Sequence, residues 1–259
     1  MTPVVGAGFE WHDGAAGRTL RYAPLLRVAP HLFTTRARSF SAETADDDWR
    51  RVAGELSVDP SRLTSVRQVH GRRVLTVANG SVAVARQAGA AGLVEADAVV
   101  MLDAGWGAAV RVADCVPILL ADDEQRVVAA AHAGWRGTCA GIAAETVRTI
   151  ADAGVDPARL TAAIGPAIGP CCYQVDDKVR TAFLGMTPDA APWFAEDGPG
   201  RWRLDLLQAN VDQLEGAGVP HESIGLAGIC TADHPDICFS YRREGGAAGR
   251  LVAAIRLGA

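Results

Sequence analysis

Between Ala98 and His132, four short apolar runs (Ala98 to Leu102, Ala108 to Val112, Val116 to Leu120 and Val127 to His132) are separated by only three to six residues. A parallel crossover takes about a dozen residues or more, so these runs cannot be parallel neighbours joined through helices. They are expected to meet by hairpins, in a sheet that is mixed or antiparallel at this point. A fully parallel, doubly wound fold is disfavoured on this ground alone.

Further runs rich in Val, Ile and Leu predict strands over Leu25 to Thr35, Leu63 to Val69, Val74 to Val77, Leu160 to Ile164, Ile224 to Ile229 and Leu251 to Ile255. Helical apolar spacing appears over Asp46 to Leu56, Thr138 to Ala153, Asp176 to Phe183 and Asp205 to Ala217, with Gly154 and Gly218 as stop signals for the second and fourth. The segment Thr187 to Arg201, rich in Pro and Gly, reads as a surface excursion or flap. The expected fold is α+β (mixed α/β), with mixed and locally antiparallel sheets sandwiched by helices in a single large domain over residues 1–259. No internal repeat or low-complexity tract competes with that reading.

At 49% hydrophobic and 21% charged residues the chain can bury a sizeable core. A net charge of −5 and the lack of a dense Lys/Arg block argue against nucleic acid as a partner. No apolar run approaches the roughly 20 residues of a membrane span, and Met1 to Gly14 does not have the pattern of a secretory signal, so a cytoplasmic protein without membrane partners is expected. The six cysteines are then read as thiols. Cys139, Cys171, Cys230 and Cys238 have small buried hydrophobes as their default, and the Cys171–Cys172 pair reads as packing.

Three segments place a metal-competent side chain at the end or start of an expected strand: Gln68-Val69-His70-Gly71, Ala113-Asp114-Cys115-Val116 and Ala131-His132-Ala133-Gly134. Two imidazoles and a thiolate form a natural zinc shell that leaves a fourth tetrahedral position open, as a catalytic site requires. Spacings of 45 and 17 residues carry no signature of their own, however, and each residue singly is more often a hydrogen-bonded histidine or an inert thiol. After His132, the run Gly134-Trp135-Arg136-Gly137 turns into a helix start, where free amides and Arg136 could seat an anion, or Arg136 could pack on Trp135. Near the C-terminus, Cys238 to Gly246 places Arg242 and Arg243 in an expected strand, facing opposite sides.

Together these motifs resemble the bacterial laccase-domain family, also described as multicopper polyphenol oxidoreductases, purine nucleoside phosphorylases and a peptidoglycan-editing factor. The resemblance is carried by QVHG at 68–71, ADAVV at 96–100, VADCVPILLAD at 112–122, AAAHAGWRG at 129–137, AAIGPAIGPCCYQV at 162–175, LDLLQANVDQL at 204–214, CT at 230–231 and FSYRREGG at 239–246. It implies zinc on His70, Cys115 and His132, the set suggested by donor chemistry. The departure is N-terminal. Family members carry a His-Gly-Phe-Ser-Thr-Arg strand and a double-glycine loop, whereas this chain has His31-Leu32-Phe33-Thr34-Thr35-Arg36 followed by Ala37-Arg38-Ser39-Phe40.

The resemblance implies phosphorolysis of adenosine, inosine or methylthioadenosine, with adenosine deamination at the same site. On that reading Cys115, His132 and Asp114 are catalytic. Arg36, Gln68, Arg136 and Arg242 contact substrate or phosphate, and Phe239, Tyr241 or Trp135 face the base. The partners are a nucleoside and phosphate, and the protein is a monomer or homodimer. The rival reading uses Cys115 as a nucleophile and His132 as its base to cleave a peptidoglycan-precursor amide. True multicopper oxidation calls for more histidines than the six present, mostly in His-x-His pairs, and no such pair occurs; copper is the less favoured metal.

Overall fold

The computed structural model describes residues 3–40, 46–79 and 94–258. In chain order its strands are β1 (Phe9–Gly14), β2 (Gly17–Tyr22), β3 (His31–Thr34), β4 (Leu63–Thr64), β5 (Val74–Val77), β6 (Ala98–Met101), β7 (Gly107–Val112), β8 (Val116–Asp122), β9 (Val128–Ala133), β10 (Leu160–Ile164), β11 (Gln174–Asp176), β12 (Phe194–Glu196), β13 (Arg201–Leu204), β14 (Ile224–Leu226) and β15 (Leu251–Arg256). The α-helices are α1 (Ala23–Leu26), α2 (Asp46–Glu55), α3 (Trp135–Cys139), α4 (Ile142–Asp152), α5 (Asp177–Met186), α6 (Leu206–Gly216) and α7 (Tyr241–Glu244). The strands form two six-stranded sheets, β1-β2-β3-β15-β7-β4 and β14-β10-β8-β9-β6-β5, and a small third sheet, β11-β13-β12. Antiparallel pairing dominates, with β4–β7, β5–β6 and β10–β14 parallel. The mixed α/β fold with locally antiparallel sheets is therefore present.

Period-two alternation explains the layering. In the second sheet Val99, Met101, Leu119 and Ala130 face the first sheet and meet Leu20, Phe33, Val110, Ala253 and Ile255. Their neighbours Ala98, Val100, Ile118, Leu120 and Ala129 point the other way, onto Ile142, Val147 and Ile150 of α4 and Leu206 and Leu214 of α6. The far face of the first sheet, through Leu32, Ala109, Val252 and Ala254, is closed by Trp49, Val52 and Ala53 of α2. The central strands of both sheets are thus buried on two faces, which is why β6, β8, β9 and β15 read as continuous apolar runs. Among the described residues no helix is long and apolar enough to cross a membrane.

Several expectations need correction. The hairpin expectation holds for β8–β9, and β6 also pairs antiparallel with β9, but β7 leaves its sequence neighbours and pairs with β15 in the other sheet. The switch is made in the three-residue link Ala113-Asp114-Cys115, where Asp114 has φ 85. The expected strand from Leu25 begins as helix α1, with Pro at its N-terminus, and becomes strand only at His31, after Pro30. The expected Leu63–Val69 strand keeps only two residues. One expected helix, Thr138 to Ala153, is divided into α3 and α4 at Gly141, which has φ 84. The hairpin β1–β2 was not foreseen. Thr187 to Arg201 is not a flap, because Trp193 and Phe194 are buried with ring centroids 5.9 and 5.5 Å from that of Phe183.

His31 sits inside the first sheet, 1% exposed. Its Nε2 accepts the Tyr22 amide at 2.9 Å, leaving Nδ1–H to donate to the Ala29 carbonyl at 3.0 Å. Burial pushes its pKa down to about 4, so the neutral ring is part of the native state. The unfolded chain takes up this proton near 6.5 and the folded chain only near 4; the stability His31 contributes is complete above 6.5 and is lost as pH falls toward 4. The loss should reach about 3 kcal/mol. Urea unfolding at stepped pH, with the His31 ring followed by NMR, checks this; a ring titrating near its ordinary value would contradict it.

Candidate metal centre

Cys115 precedes β8, His132 lies near the end of β9, and the pairing of Val116 with Ala133 and of Pro117 with His132 sets the two side by side. His70 comes from the loop between β4 and β5, with its backbone at φ 60. This left-handed conformation is uncommon for a residue other than glycine. Here Asp97 holds it: its carboxylate accepts the amides of Val69 at 3.3 Å, His70 at 2.9 Å and Gly71 at 2.7 Å. The same carboxylate accepts from His132 Nδ1 at 2.9 Å. One buried acid therefore fixes both histidines and leaves His132 Nε2 as a ligand atom.

The ligand atoms of His70, Cys115 and His132 all lie within 4.8 Å of one another. The two rings stand nearly perpendicular, 80°, with centroids 4.8 Å apart. A Cβ on Gly134 would lie 2.9 Å from both Cys115 Sγ and His70 Cδ2, so the cluster closes only over glycine. Burial works to raise the Cys115 thiol, yet the charge of His132 and hydrogen bonds from both imidazoles bring it well below its usual value. Burial likewise opposes charge on His132, but the Cys115 thiolate and Asp97 raise it. Two imidazoles and a thiolate backed by a carboxylate form a donor set that fits a divalent transition ion.

The cluster opens into a cavity of about 890 Å³. Gln68, Trp135, Arg136, Tyr173, Tyr241 and Arg242 line it, together with Arg111 and Arg250. Gln68 uses its amide at both ends on the backbone of Arg111, donating at 2.7 Å and accepting at 2.8 Å, and so bolts the His70 loop to β7. Arg136 stacks 4.2 Å from the Trp135 ring centroid. Arg242 lies 5.0 Å from that of Tyr173 and donates to the carbonyls of Cys172 and Gln174. Arg111 has no side-chain partner among the described residues; burial first, then the charge of Arg250, lowers its pKa. Arg36 is placed outside this lining. Its guanidinium donates to the Pro235 and Cys238 carbonyls, faces Glu244 at 3.5 Å and covers the ring of Phe239. Phe239 is likewise absent from the lining.

Asp114 has both oxygens engaged: Thr231 Oγ1 donates to one at 2.5 Å and the Arg242 amide to the other at 2.6 Å. It holds the start of α7 over the cavity. That segment is a helix rather than the expected strand, capped by Ser240, whose side chain accepts the Arg243 amide. Arg243 is spent on the carbonyls of Thr231, Ala232 and Cys238. A second groove, along α4, holds Arg148 already paired with Glu145 and Asp152, and no His or Cys lines it.

Sequence reasoning missed Asp97, Arg111 and Arg250. The signal for Asp97 was a lone acid at the head of the apolar run Ala98 to Leu102, while nothing local marks the two arginines.

Residues 33–258 match the family described as multi-copper polyphenol oxidoreductase laccase. A protein of Deinococcus radiodurans named purine nucleoside phosphorylase is 37% identical over 94% of each chain. The purine nucleoside phosphorylase YlmD of Geobacillus stearothermophilus is 38% identical over 80% of this chain and 76% of its own. The crystal structure of YlmD from that organism superposes with a TM-score of 0.86 at 33% identity, covering 97% of this chain and 99% of the other. With most of its length matched in sequence and fold, the chain belongs to the multi-copper polyphenol oxidoreductase laccase family.

Proposed function

We propose that the protein is a zinc-dependent purine nucleoside phosphorylase that also deaminates adenosine. The observation that carries this reading is a His₂Cys cluster on the floor of a cavity whose walls bring together the guanidinium groups of Arg111, Arg136, Arg242 and Arg250 and the rings of Trp135, Tyr173 and Tyr241. The names of the relatives support it.

His70, Cys115 and His132 would hold zinc, which when bound supplies a Lewis acid facing the cavity. The remaining work falls to the chain. Phosphate, a dianion, needs opposing positive charge where water is scarce, and Arg111 with its unpaired guanidinium beside Arg250 offers that seat. Arg136 and Arg242, each laid on an aromatic ring, add charge and a flat wall against which a purine can stack. Tyr173 lines the cavity, and burial raises its hydroxyl well above its usual range. In phosphorolysis a phosphate oxygen bonds to the anomeric carbon, the bond from that carbon to the purine nitrogen breaks, and the base leaves with a proton.

Adenosine or inosine given with phosphate is expected to yield free base and ribose 1-phosphate. Omitting phosphate should stop base release while sparing inosine formation from adenosine. Arg111→Ala should raise the KM for phosphate about tenfold to a hundredfold with little change in the KM for nucleoside, the size expected for a lost charge-assisted pair. Base release that ignores phosphate would refute phosphorolysis.

A second reading rests on the Cys115–His132 pair itself, because a thiol shifted down beside an imidazole shifted up is a nucleophile and base arrangement. On that reading a peptidoglycan-precursor amide is cleaved, and rapid alkylation of Cys115 accompanies activity that chelators do not reduce.

A further inference from the structure

Behind the cavity wall lies a second cluster, formed by Cys171, Cys172 and Cys230, whose three sulfurs lie within 4.8 Å of one another. Cys230 is buried as the sequence suggests, but Cys171 is not. Cys171 is exposed, Cys172 half-buried and Cys230 buried, which makes the cluster a shallow well with its floor in the protein. The fold assembles it deliberately. A bridge between Ala167 and Cys230 ties the two segments together, and the amides of Cys172 and Tyr173 both turn back onto the Gly169 carbonyl at 3.0 Å, folding the paired cysteines over Cys230.

We propose that Cys171, Cys172 and Cys230 form a second metal site, separate from His70, Cys115 and His132, that takes a single monovalent copper ion. Three sulfurs without an imidazole or carboxylate form the soft end of the ligand range, where monovalent copper is favoured. Three sulfurs bound about 2.3 Å from an ion lying in their plane are about 4 Å apart, so small rotations suffice to close the set. Structural zinc asks for a fourth protein ligand, and among the described residues no His, Cys, Asp or Glu completes this group. Trigonal monovalent copper needs none.

The surroundings suit a thiolate-bound cation. The Gly169 amide donates to Cys230 Sγ at 3.3 Å, the kind of bond that stabilises a metal-bound sulfur. Three thiolates around one positive ion leave two negative charges, and two guanidinium groups stand nearby: Arg242 on the Cys172 carbonyl at 3.3 Å, and Arg203 on that of Cys171 at 2.7 Å, the latter also paired with Asp197 at 2.7 Å. Asp233 opposes them near Cys172. Burial first, and then the neighbouring Cys230, raise the free thiols of Cys171 and Cys172, so without metal they are protonated; binding displaces those protons without any change of oxidation state.

The test is an anaerobic titration of the reduced, purified protein with monovalent copper against a chromogenic chelator. One equivalent should be held tightly, with X-ray absorption showing sulfur neighbours only. Cys115→Ala should retain that equivalent, whereas Cys171→Ser and Cys172→Ser, both at accessible positions, should each weaken it about a hundredfold or more. Cys230→Ser should do the same if it folds, and the two accessible variants decide the matter if it does not. Absence of tight binding, its loss in Cys115→Ala, or its survival in Cys171→Ser and Cys172→Ser would overturn the proposal.

Discussion

Replacing Cys115 by alanine is expected to cut turnover by at least about a hundredfold and to remove tight zinc binding at the His70–His132 cluster while the fold survives. A complete zinc shell is worth about 10–16 kcal/mol, so one ligand of the set carries about 3–4 kcal/mol, a few hundredfold in affinity. The fold does not depend on that ligand, because the cores on both faces of the second sheet are apolar and the thiol stands at their rim. Zinc content by elemental analysis, thermal unfolding and nucleoside turnover should therefore separate: the first and third collapse and the second barely moves. Near-normal turnover in this variant would defeat both the metal reading and the nucleophile reading. Cys139→Ala, at a thiol that belongs to neither cluster, should leave all three measurements close to the parent values.

Asp97 is the other position with a large expected effect, and its role is positioning. Alanine there would leave three backbone amides and the His132 Nδ1–H without their acceptor in a site that is 0% exposed. Removing a buried charged partner costs about 3–5 kcal/mol, so Asp97→Ala should unfold at markedly lower denaturant. Asp97→Asn is the more informative variant, since it keeps the volume and one acceptor. It should fold, yet bind metal about 10-fold to 100-fold more weakly, because neither the His70 backbone nor the His132 tautomer is held. Competition against a chelator reads this directly; unchanged affinity in a folded Asp97→Asn protein would show that the carboxylate serves only the fold.

What was legible in the sequence divides along physical lines. Leu160–Ile164 appears with the expected bounds because a mostly buried apolar run is set by composition alone, and Val74–Val77 does so because β-branched residues favour strand even at a half-exposed sheet edge. The hairpin Phe9–Tyr22 escaped notice because the edge strand β1 carries His12 and Asp13 and its neighbour β2 carries Arg18 and Arg21, so neither shows a clear apolar pattern. Helix α7 escaped because its arginines were read by alternation, although Ser240 ahead of them is a capping residue. The three candidate ligands were visible as residue types at strand ends. Arg111 and Arg250 were not, since only the pairing of Val252 with Arg111 brings the two segments together. That pairing is a property of the assembled sheet, and no local window of sequence contains it.

The placement of β15 governs when the molecule can come into being. This strand, Leu251–Arg256, lies between β3 and β7 in the middle of the first sheet, hydrogen-bonded to both. Until it arrives, strands emerging more than a hundred residues earlier have open edges and no common neighbour, so the sheet cannot close during synthesis of the preceding chain. A product halted before Leu251 would also lack the support for Arg250, leaving one wall of the cavity unbuilt. A chain truncated before Leu251 is therefore expected to be digested under conditions the full chain resists, which limited proteolysis of the two checks.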